Sequence, residues 1–516
     1  MPPASAGAVL SAQRQGVSAG FVHRCNVDAK PILDKPGSTA TSAEPDVHPL
    51  VVDLDGTLLR TDLLSESLLV LLKRNPLYIL LLPFWLLKGK ASFKHEVAQR
   101  ASLDVRVLLY REELLNYLKR QRAQGRTLVL ATASDRTIAQ LVAGHLKLFD
   151  LVFASDGITN LAGEAKRDRL VSEFGARGFD YVANDRCDLV VWRSARNGIV
   201  VNPSRGLQGR LAQVTHVVRI FSRRRQTLAD YLAPLRFGHW LKNLLIFVPL
   251  AAAHWITEIA LWRKTILAFL AFGLCASGGY VLNDLFDLDS DRCHPEKRLR
   301  PFAAGNLPLV YGFALVPGLL VLGCVIGVFV SPLFLTTLLA YLTLTTTYSL
   351  YVRRVVLLDV IFLAGLYTMR ILAGSAAIAI WPSQWLLAFS TFLFLSLALV
   401  KRYGELVTMR RVDGDQATAR GYELGDGELL ASMGVASGFL SVLVLALYVD
   451  SDAAKRLYGH YELMWLLCPL FLYWISHIWL VAHRGKMPGD PVVFATGDRV
   501  SRILIALMLI VALLAL

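Results

Sequence analysis

Four polar residues of types that can hold a metal ion lie together at the end of a long apolar run. Asn283, Asp284, Asp287 and Asp291 follow the sequence FLAFGLCASGGYVL. If that run continues as a helix, their spacing places them on roughly one face. Carboxylates at a membrane boundary are costly without a partner, and their hard oxygens suit Mg²⁺. The spacing therefore predicts a Mg²⁺ site at the edge of a membrane.

A basic cluster follows this motif directly, and its members are His294, Lys297, Arg298 and Arg300. Carboxylates that hold Mg²⁺ beside cations that hold phosphate make a site for a diphosphate. The alternative is a solvated loop next to the membrane. We favour the diphosphate site, because such a loop has no reason to place its acids at helical spacing.

A second group of chemically competent residues lies in the N-terminal third of the chain. The sequence PLVVDLDGTLL begins as a buried strand and places Asp53 and Asp55 at its C-terminal end, where an α/β sheet opens a crevice. One carboxylate can attack phosphorus while the other serves as acid and base, and Mg²⁺ would offset the phosphate charge. Two later strands lead to Thr132 and Asp188, and Lys166 lies at the start of a helix.

This ordered set resembles the haloacid dehalogenase (HAD) superfamily of aspartyl phosphotransferases over about residues 51–203. The resemblance implies an α/β domain with a Rossmann-like sheet. It also implies that Asp53 is the nucleophile and a metal ligand, and that Asp55 is the acid/base. In the same way it implies that Thr132 and Lys166 bind phosphate.

The fourth HAD motif departs from the family pattern. Its first acid is replaced by Asn184, and only Asp188 stands in the expected metal-binding place, although Asp185 could substitute through a local shift. The resemblance still implies a phosphatase. The alternative is a domain that retains the first motif without turnover, because a fold does not by itself imply a function.

An apolar segment, SLLVLLKRNPLYILLLPFWLLKGK, lies between the first two HAD motifs. Charged residues and a proline break it into pieces shorter than the roughly 20 residues needed to span a bilayer. We expect a helical cap whose apolar face lies on the membrane or on the second domain.

The composition of the 516-residue chain indicates a membrane protein, with 54% hydrophobic residues and a mean hydropathy of +0.47. The net charge of +14 does not indicate nucleic-acid binding, because the basic residues concentrate in short loops between apolar runs. Those alternate basic loops predict a multi-pass protein of the cell (inner) membrane, with both sites facing the cytoplasm. Nine spans are predicted, near residues 243–260, 265–285, 308–330, 333–351, 355–379, 384–400, 430–449, 460–482 and 501–516.

Further polar residues lie within these spans or at their ends. The candidates are Lys242, Arg353 and Lys401, which we expect to bind phosphate, and Tyr348, Asp359 and Arg370. Charges inside a membrane are functional candidates by default. The alternative for Asp359 and Arg370 is a structural ion pair, although their separation of eleven residues prevents direct pairing along one helix.

The spans, the NDxxDxxxD motif and the basic loops resemble the UbiA superfamily of membrane transferases over about residues 231–516. The resemblance implies an all-α bundle in which Mg²⁺ on the aspartates binds a diphosphate and a lipid enters laterally. The ending HPEKRLRP looks most like that of decaprenyl-phosphate phosphoribosyltransferases, which join 5-phosphoribosyl diphosphate to a polyprenyl phosphate. Arg353 stands where those enzymes usually have Lys, which keeps the charge but changes the hydrogen-bond geometry.

We therefore expect a multidomain chain with four segments. They are a disordered segment 1–46, a HAD-like domain 47–205 with its cap at about 60–120, a basic amphipathic linker 206–235 and a transferase domain 236–516. The expected function is Mg²⁺-dependent phosphoribosyl transfer to a polyprenyl phosphate, with the HAD domain dephosphorylating the product. One alternative is a prenyltransferase that joins a prenyl diphosphate to an aromatic or other acceptor. Another is a membrane-anchored HAD regulator or transporter whose bundle performs no chemistry.

Overall fold

The N-terminal domain is built on a six-stranded parallel sheet. The computed structural model describes residues 48–203, 206–222, 226–255, 257–412, 421–487 and 489–516, so the predicted disordered segment 1–46 lies outside the described residues. The spatial order is β3-β2-β1-β4-β5-β6. The strands are β1 Leu50–Val52, β2 Leu128–Asp135, β3 Leu151–Ser155, β4 Asp180–Ala183, β5 Asn197–Val201 and β6 His216–Phe221.

The strand order changes direction at β1, which is the first strand and lies in the interior of the sheet. Ligands of such sheets bind outside the carboxyl ends of the strands at this switch point. Asp53 follows β1 directly and therefore lies there. The α/β part of the predicted fold is confirmed.

Helices cover both faces of this sheet. Leu50 and Val52 are buried on one face and Val51 on the other, because successive strand side chains point in opposite directions. The helices are α1 Leu63–Arg74, α2 Leu82–Leu87, α3 Lys90–Arg100, α4 Glu112–Ala123, α5 Arg136–Leu146, α6 Glu164–Phe174, α7 Leu189–Ser194 and α8 Leu207–Leu211.

The interpretation of residues 206–235 as a linker is wrong at its N-terminal end. Strand β6 pairs in parallel with β5, with Ile220 opposite Val200, and extends the sheet by one strand. Leu207 and Leu211 of α8 are buried beneath it. The strand is hard to see in the sequence because its edge position leaves most of its side chains exposed and allows a basic residue such as Arg219.

Helices α1 to α3 lie between β1 and β2, where the sequence predicts a cap. Helix α1 begins after Asp62, whose carboxylate accepts a hydrogen bond from the Ser65 backbone N–H at 2.9 Å and caps the helix. The segment after α1 exposes a group of large apolar side chains: Leu77, Ile79, Leu80, Phe84, Leu86 and Leu87.

The C-terminal domain is an all-helical bundle. Its helices are α9 Leu228–Leu232, α10 Val248–Ala252, α11 Ile259–Phe286, α12 Leu288–Cys293, α13 Leu309–Val330, α14 Pro332–Leu350, α15 Leu358–Ile378, α16 Gln384–Val412, α17 Gly427–Asp450, α18 Asp452–Leu457, α19 Leu467–His483, α20 Pro491–Gly497 and α21 Arg499–Ala515. The tightest packing joins α11 with α13 and α16 with α17.

The described residues contain seven helices that are long and apolar enough to cross a membrane, so the predicted nine spans are not confirmed. The first predicted span falls in a shorter apolar helical segment, Phe237–Ala252. The ninth coincides with α21, whose 17 residues fall short of the roughly 20 that cross a bilayer. The apolar runs at these two places were recognised in the sequence, but the helices that they form are shorter than full spans.

The two domains are joined at the end of α11 that carries the aspartate motif. Leu69 of α1 packs in one apolar cluster with Leu285 and Leu288. Beside it, the Arg292 guanidinium donates to both carboxylate oxygens of Glu66, at 2.5 and 3.2 Å, and both side chains are at most 4% exposed. The aspartate motif and the HAD domain therefore lie on the same side of the bundle.

Candidate active sites

The aspartate motif does not form one continuous helix. Helix α11 ends at Phe286, and Asp287 adopts a non-helical conformation before α12 begins. Asn283 and Asp284 therefore lie in the last turn of α11, while Asp291 lies in α12. Asp284 and Asp291 are buried at 4% and 2% exposure.

Arginines from other segments contact each aspartate of the motif. Arg300 Nη1 donates to Asp284 at 3.1 Å and to Asp291 at 2.6 Å, so it bridges the two carboxylates. Arg236 also donates to Asp284. Arg353 donates two parallel hydrogen bonds of 2.8 Å to Asp287, which is the strong bidentate geometry of guanidinium with carboxylate.

The charges of this motif respond to burial and to those arginines. Burial raises the pKa of Asp291, although Arg300 opposes the change. Burial also acts on Asp287, but the hydrogen bonds from Arg353 prevail and hold the pKa of Asp287 below its ordinary value. Lys297 and Arg298, which the sequence predicts as phosphate ligands, lie in an exposed helical turn on the same side.

The oxygen-rich chemistry of this motif fits Mg²⁺ as a donor set. In the described part of the chain, however, no three acidic, histidine or cysteine side chains approach closely enough to hold a metal ion. The Arg300 guanidinium lies between Asp284 and Asp291 instead. The residues of the motif are therefore of the types that bind Mg²⁺. In this structure the positive charge between two of the carboxylates is that of Arg300.

A second polar cluster includes an aspartate that the sequence analysis missed. Asp490 forms an ion pair with Lys242, accepts a hydrogen bond from the Tyr367 hydroxyl at 3.1 Å and lies 3.9 Å from Lys401 Nζ. Its carboxylate also caps α20 by accepting from the Val492 backbone N–H at 3.1 Å. An Asp followed by Pro is a helix-start signal, but that signal does not identify a partner 248 residues away.

Asp359 and Arg370 do not pair with each other. Asp359 accepts from Arg402 and from the Tyr422 hydroxyl. Arg402 also donates to Tyr348 at 2.8 Å, which brings two of the predicted candidates into one network. Arg370 donates to Asn243 and Tyr341 at 3.1 and 3.3 Å and lies over aromatic rings.

The HAD-like residues converge on one cavity of about 350 Å³. Lys166 Nζ lies 2.7 Å from Asp53 and 3.5 Å from Asp188, so one lysine forms ion pairs with two buried carboxylates. Asp55 accepts from the Ser134 hydroxyl at 2.5 Å, from the Thr132 hydroxyl at 3.4 Å and from the Leu63 backbone N–H at 2.8 Å. The last of these bonds ties Asp55 to the start of α1.

Burial and neighbouring charges raise the pKa of two carboxyl groups that line this cavity, Asp55 and Asp188. Burial, with the nearby Asp62 and Asp53 charges, raises the pKa of Asp55 to about 7. A carboxyl with this pKa is partly protonated at neutral pH and can act as a general acid. Burial raises the pKa of Asp188 to about 6, even though Lys166 opposes the change.

Asn184, which stands in place of the first acid of the fourth motif, has a structural role. Asn184 accepts a hydrogen bond from the Thr57 hydroxyl at 3.1 Å, and its amide lies so close to Gly56 that any Cβ there would overlap it. Asp185 is exposed at the rim of the cavity and accepts from the Arg186 backbone N–H. Asp53, Asp188 and Asn184 all line the cavity, and their side-chain oxygens are of the type that Mg²⁺ prefers.

Comparison with known proteins assigns the chain to a family. Residues 244–422 match the UbiA prenyltransferase family. An uncharacterized protein, y4nM, of Sinorhizobium fredii is 35% identical over 456 residues, which cover 88% of each chain. The nodulation protein NoeC of Azorhizobium caulinodans is 38% identical over 271 residues, or 52% of this chain and 87% of its own. The C-terminal domain therefore belongs to the UbiA family, and the α/β domain precedes it in the chain.

Relatives whose names state a reaction match about half of this chain. The decaprenyl-phosphate phosphoribosyltransferase of Mycolicibacterium smegmatis is 29% identical over 287 residues, which cover 54% of this chain and 89% of its own. Among solved structures, a UbiA homolog from Archaeoglobus fulgidus bound to GPP and Mg²⁺ covers 55% of this chain and 99% of its own, at 15% identity and a TM-score of 0.42. A phosphoserine phosphatase in apo form covers 36% of this chain and 98% of its own, at 13% identity and a TM-score of 0.26.

Proposed function

We propose that the bundle transfers a 5-phosphoribosyl group from its diphosphate donor to a polyprenyl phosphate, and that the HAD domain then removes the 5-phosphate. The observation that carries the proposal is the set of arginines on the aspartate motif. Arg236, Arg300 and Arg353 contact its carboxylates, and a donor with a diphosphate and a further phosphate needs such cations. The names of the phosphoribosyltransferase relatives support the same reaction.

The residues proposed to hold Mg²⁺ are the four of the aspartate motif and, in the HAD domain, Asp53, Asp188 and Asn184. Bound there, Mg²⁺ would neutralise phosphate charge in both reactions. For the bundle this requires Arg300 to leave its bridge between Asp284 and Asp291 and to turn towards the donor phosphates. Guanidinium suits both partners, because it binds carboxylate and phosphate with the same fork of donors.

In the transfer, an oxygen of the lipid phosphate attacks the anomeric carbon of the ribose. The bond from that carbon to the diphosphate breaks, and the diphosphate leaves with the electron pair. Arg300 and Lys242 would stabilise this negative charge, which is the main catalytic contribution available to such a site, and Arg353 would bind the donor phosphates. Lys297 and Arg298 are placed to attract the donor before it reaches the buried motif.

In the hydrolysis, an Asp53 carboxylate oxygen attacks phosphorus and the ester P–O bond breaks. Asp55 donates its proton to the departing sugar oxygen, in keeping with its raised pKa of about 7. Water then attacks the aspartyl phosphate, Asp55 takes up the proton, and inorganic phosphate is released. Lys166 and Thr132 would hold the phosphoryl oxygens.

The basic loops on the HAD side of the bundle support an orientation in the inner membrane with both sites facing the cytoplasm. A soluble phosphoribosyl diphosphate would reach the site from that side. The lipid acceptor would enter from the bilayer.

A prenyl transfer to an aromatic or other acceptor is the second candidate, and the match to the UbiA prenyltransferase family favours it. The two functions differ in their substrates. The prenyl reaction needs one diphosphate and an acceptor of low charge, whereas the phosphoribosyl reaction brings a diphosphate, a 5-phosphate and a lipid phosphate into the site.

The test is an assay of the full chain in vesicles that contain a polyprenyl phosphate. With Mg²⁺ and labelled 5-phosphoribosyl diphosphate, we expect a labelled lipid to form with the wild type and not with Asp287→Asn. Asp289→Asn, an acid outside the motif, is the matched control. The transferase assignment fails if the wild type labels no lipid, and prenylation of an added aromatic acceptor from geranyl diphosphate would favour the second candidate.

A further inference from the structure

A helix of the bundle forms part of the wall of the HAD cavity. Pro308, Leu309 and Val310, at the start of α13, line the same cavity as Asp53 and Lys166. Leu309 is buried, whereas Val310 is 60% exposed. The HAD site therefore opens next to a helix that is long and apolar enough to cross the membrane.

The exposed side of α13 continues away from this cavity as an apolar stripe. Val310, Ala314, Pro317, Val321 and Val328 are all exposed, and at 100° per residue they point in nearly the same direction. Only 22% of the most apolar part of α13 is buried inside the bundle. In a bilayer this stripe faces lipid, and its end at Val310 reaches the HAD cavity.

Helix α1 connects this cavity to the aspartate motif. The Leu63 backbone N–H, at its first residue, donates to Asp55, while Leu69, further along the helix, packs with Leu285 and Leu288 beside the aspartate motif. A helix of twelve residues is about 18 Å long. The buried pair of Glu66 and Arg292 fixes α1 against α12 between these two points.

We propose that the HAD site acts on a membrane-anchored phosphate monoester whose hydrocarbon chain lies along the α13 stripe, so that the phosphate enters the cavity from the bilayer side. The proposal rests on the proposed phosphatase function and adds the surface that binds the lipid chain and the direction from which the phosphate enters. The cavity is large enough for a sugar phosphate but not for a long chain, and the stripe provides the place for that chain. A lipid product of the bundle would need to move only about the length of α1 to reach the HAD site, without leaving the membrane.

The experiment compares two phosphate esters with the full chain in vesicles. One is a synthetic polyprenyl-phosphoryl ribose 5-phosphate in the bilayer, and the other is free ribose 5-phosphate. We expect the release of inorganic phosphate to favour the lipid ester by about tenfold or more in kcat/KM, and to stop in Asp53→Asn. Equal or faster hydrolysis of the free ester would overturn the inference and leave the phosphatase intact. Release from neither ester would overturn the phosphatase function itself.

A matched pair of variants on α13 tests the stripe. Val321→Trp adds bulk to the stripe, whereas Leu322→Trp adds the same bulk to an exposed position one residue later, about 100° around the helix. We expect Val321→Trp to lower the ratio of lipid to free ester hydrolysis about tenfold and Leu322→Trp to leave it unchanged. An equal effect of both variants, or of neither, would contradict the stripe as the path of the chain.

Discussion

The HAD cavity and the aspartate motif both gather buried carboxylates, but they compensate the charge differently. In the HAD cavity a single lysine, Lys166, contacts both Asp53 and Asp188. In the aspartate motif Arg300 bridges Asp284 and Asp291, and Arg353 engages Asp287. The first site leaves a cavity of about 350 Å³ beside its acids, whereas arginines in the second contact the acids directly.

For the proposed reactions, this difference means that the HAD site already has room for a substrate, whereas the arginines of the aspartate motif would have to move. The HAD residues come from the ends of adjacent strands, so the sheet holds them in place. The arginines of the motif come from separate segments and bind carboxylates through a geometry that phosphate can also satisfy. A phosphate-rich donor can therefore take over the arginines and free the carboxylates.

The largest loss of activity is expected for a substitution of Asp53 in the HAD cavity. Asp53→Asn removes the nucleophile, and we expect phosphate release to fall by about 10³-fold or more while transfer to lipid continues. Asp185→Asn, at the exposed rim of the cavity, should retain most of the activity. Phosphatase assays on the two variants check this, and a large loss in Asp185→Asn would instead assign the metal site to that residue.

The second-largest effect is expected for the ion pair of Glu66 and Arg292, which joins the two regions. Glu66→Gln leaves Arg292 buried without its counter-charge, and breaking such a pair costs about 3–5 kcal/mol. Thermal unfolding of the full chain in detergent should show the loss. Glu113→Gln, in an exposed position of α4, is the control. Equal unfolding temperatures for the two variants would mean that the interdomain pair contributes little.

Arg300→Gln tests the bridging role in the aspartate motif. Without Arg300, Asp284 keeps Arg236 but Asp291 loses its charged partner. We expect transfer to fall by about 10²-fold, because the same cation also binds the donor phosphates. Arg298→Gln, in the exposed turn nearby, should lower transfer by less than about tenfold. Similar losses in both variants would mean that the bridge has no special role.

The smallest effect is expected for Arg353→Lys. Lysine keeps the positive charge near Asp287 but cannot form the two parallel hydrogen bonds of the guanidinium. We expect the KM for the donor to rise by about threefold to tenfold with little change in kcat. A fall in kcat of more than about tenfold would show that Arg353 acts mainly on the transition state.

The α/β sheet was predictable because its signals are local. A buried strand followed by Asp53 and Asp55, with later strand ends in the expected order, describes the centre of a parallel sheet. Strand β6 was missed because the basic residues directly after it suggested an amphipathic linker, although its own sequence, HVVRIF, is mostly apolar. The helices of the bundle were predictable from their apolar runs. Two of those runs were read as full spans, because an apolar run does not show where its helix begins and ends.

The sequence was enough to identify most candidate residues of the bundle, but it did not predict which residues they contact. Asp359 and Arg370 are recognisable in the sequence as charges inside predicted spans, yet Asp359 pairs with Arg402, 43 residues further along. Asp490 was not recognisable, because its partner Lys242 is far away in the sequence. The break of the helix at Asp287 was also not predictable from spacing. Contacts between distant segments depend on how the helices pack, and no local pattern records that packing.

The central claim is that the bundle makes a lipid-linked sugar phosphate and the HAD domain removes its phosphate. The most direct test is mass spectrometry of the lipids formed from 5-phosphoribosyl diphosphate and a polyprenyl phosphate in vesicles. The wild type should yield a polyprenyl-phosphoryl ribose and inorganic phosphate, and Asp53→Asn should yield the same lipid with its 5-phosphate retained. A product of the same mass from both proteins would contradict the claim.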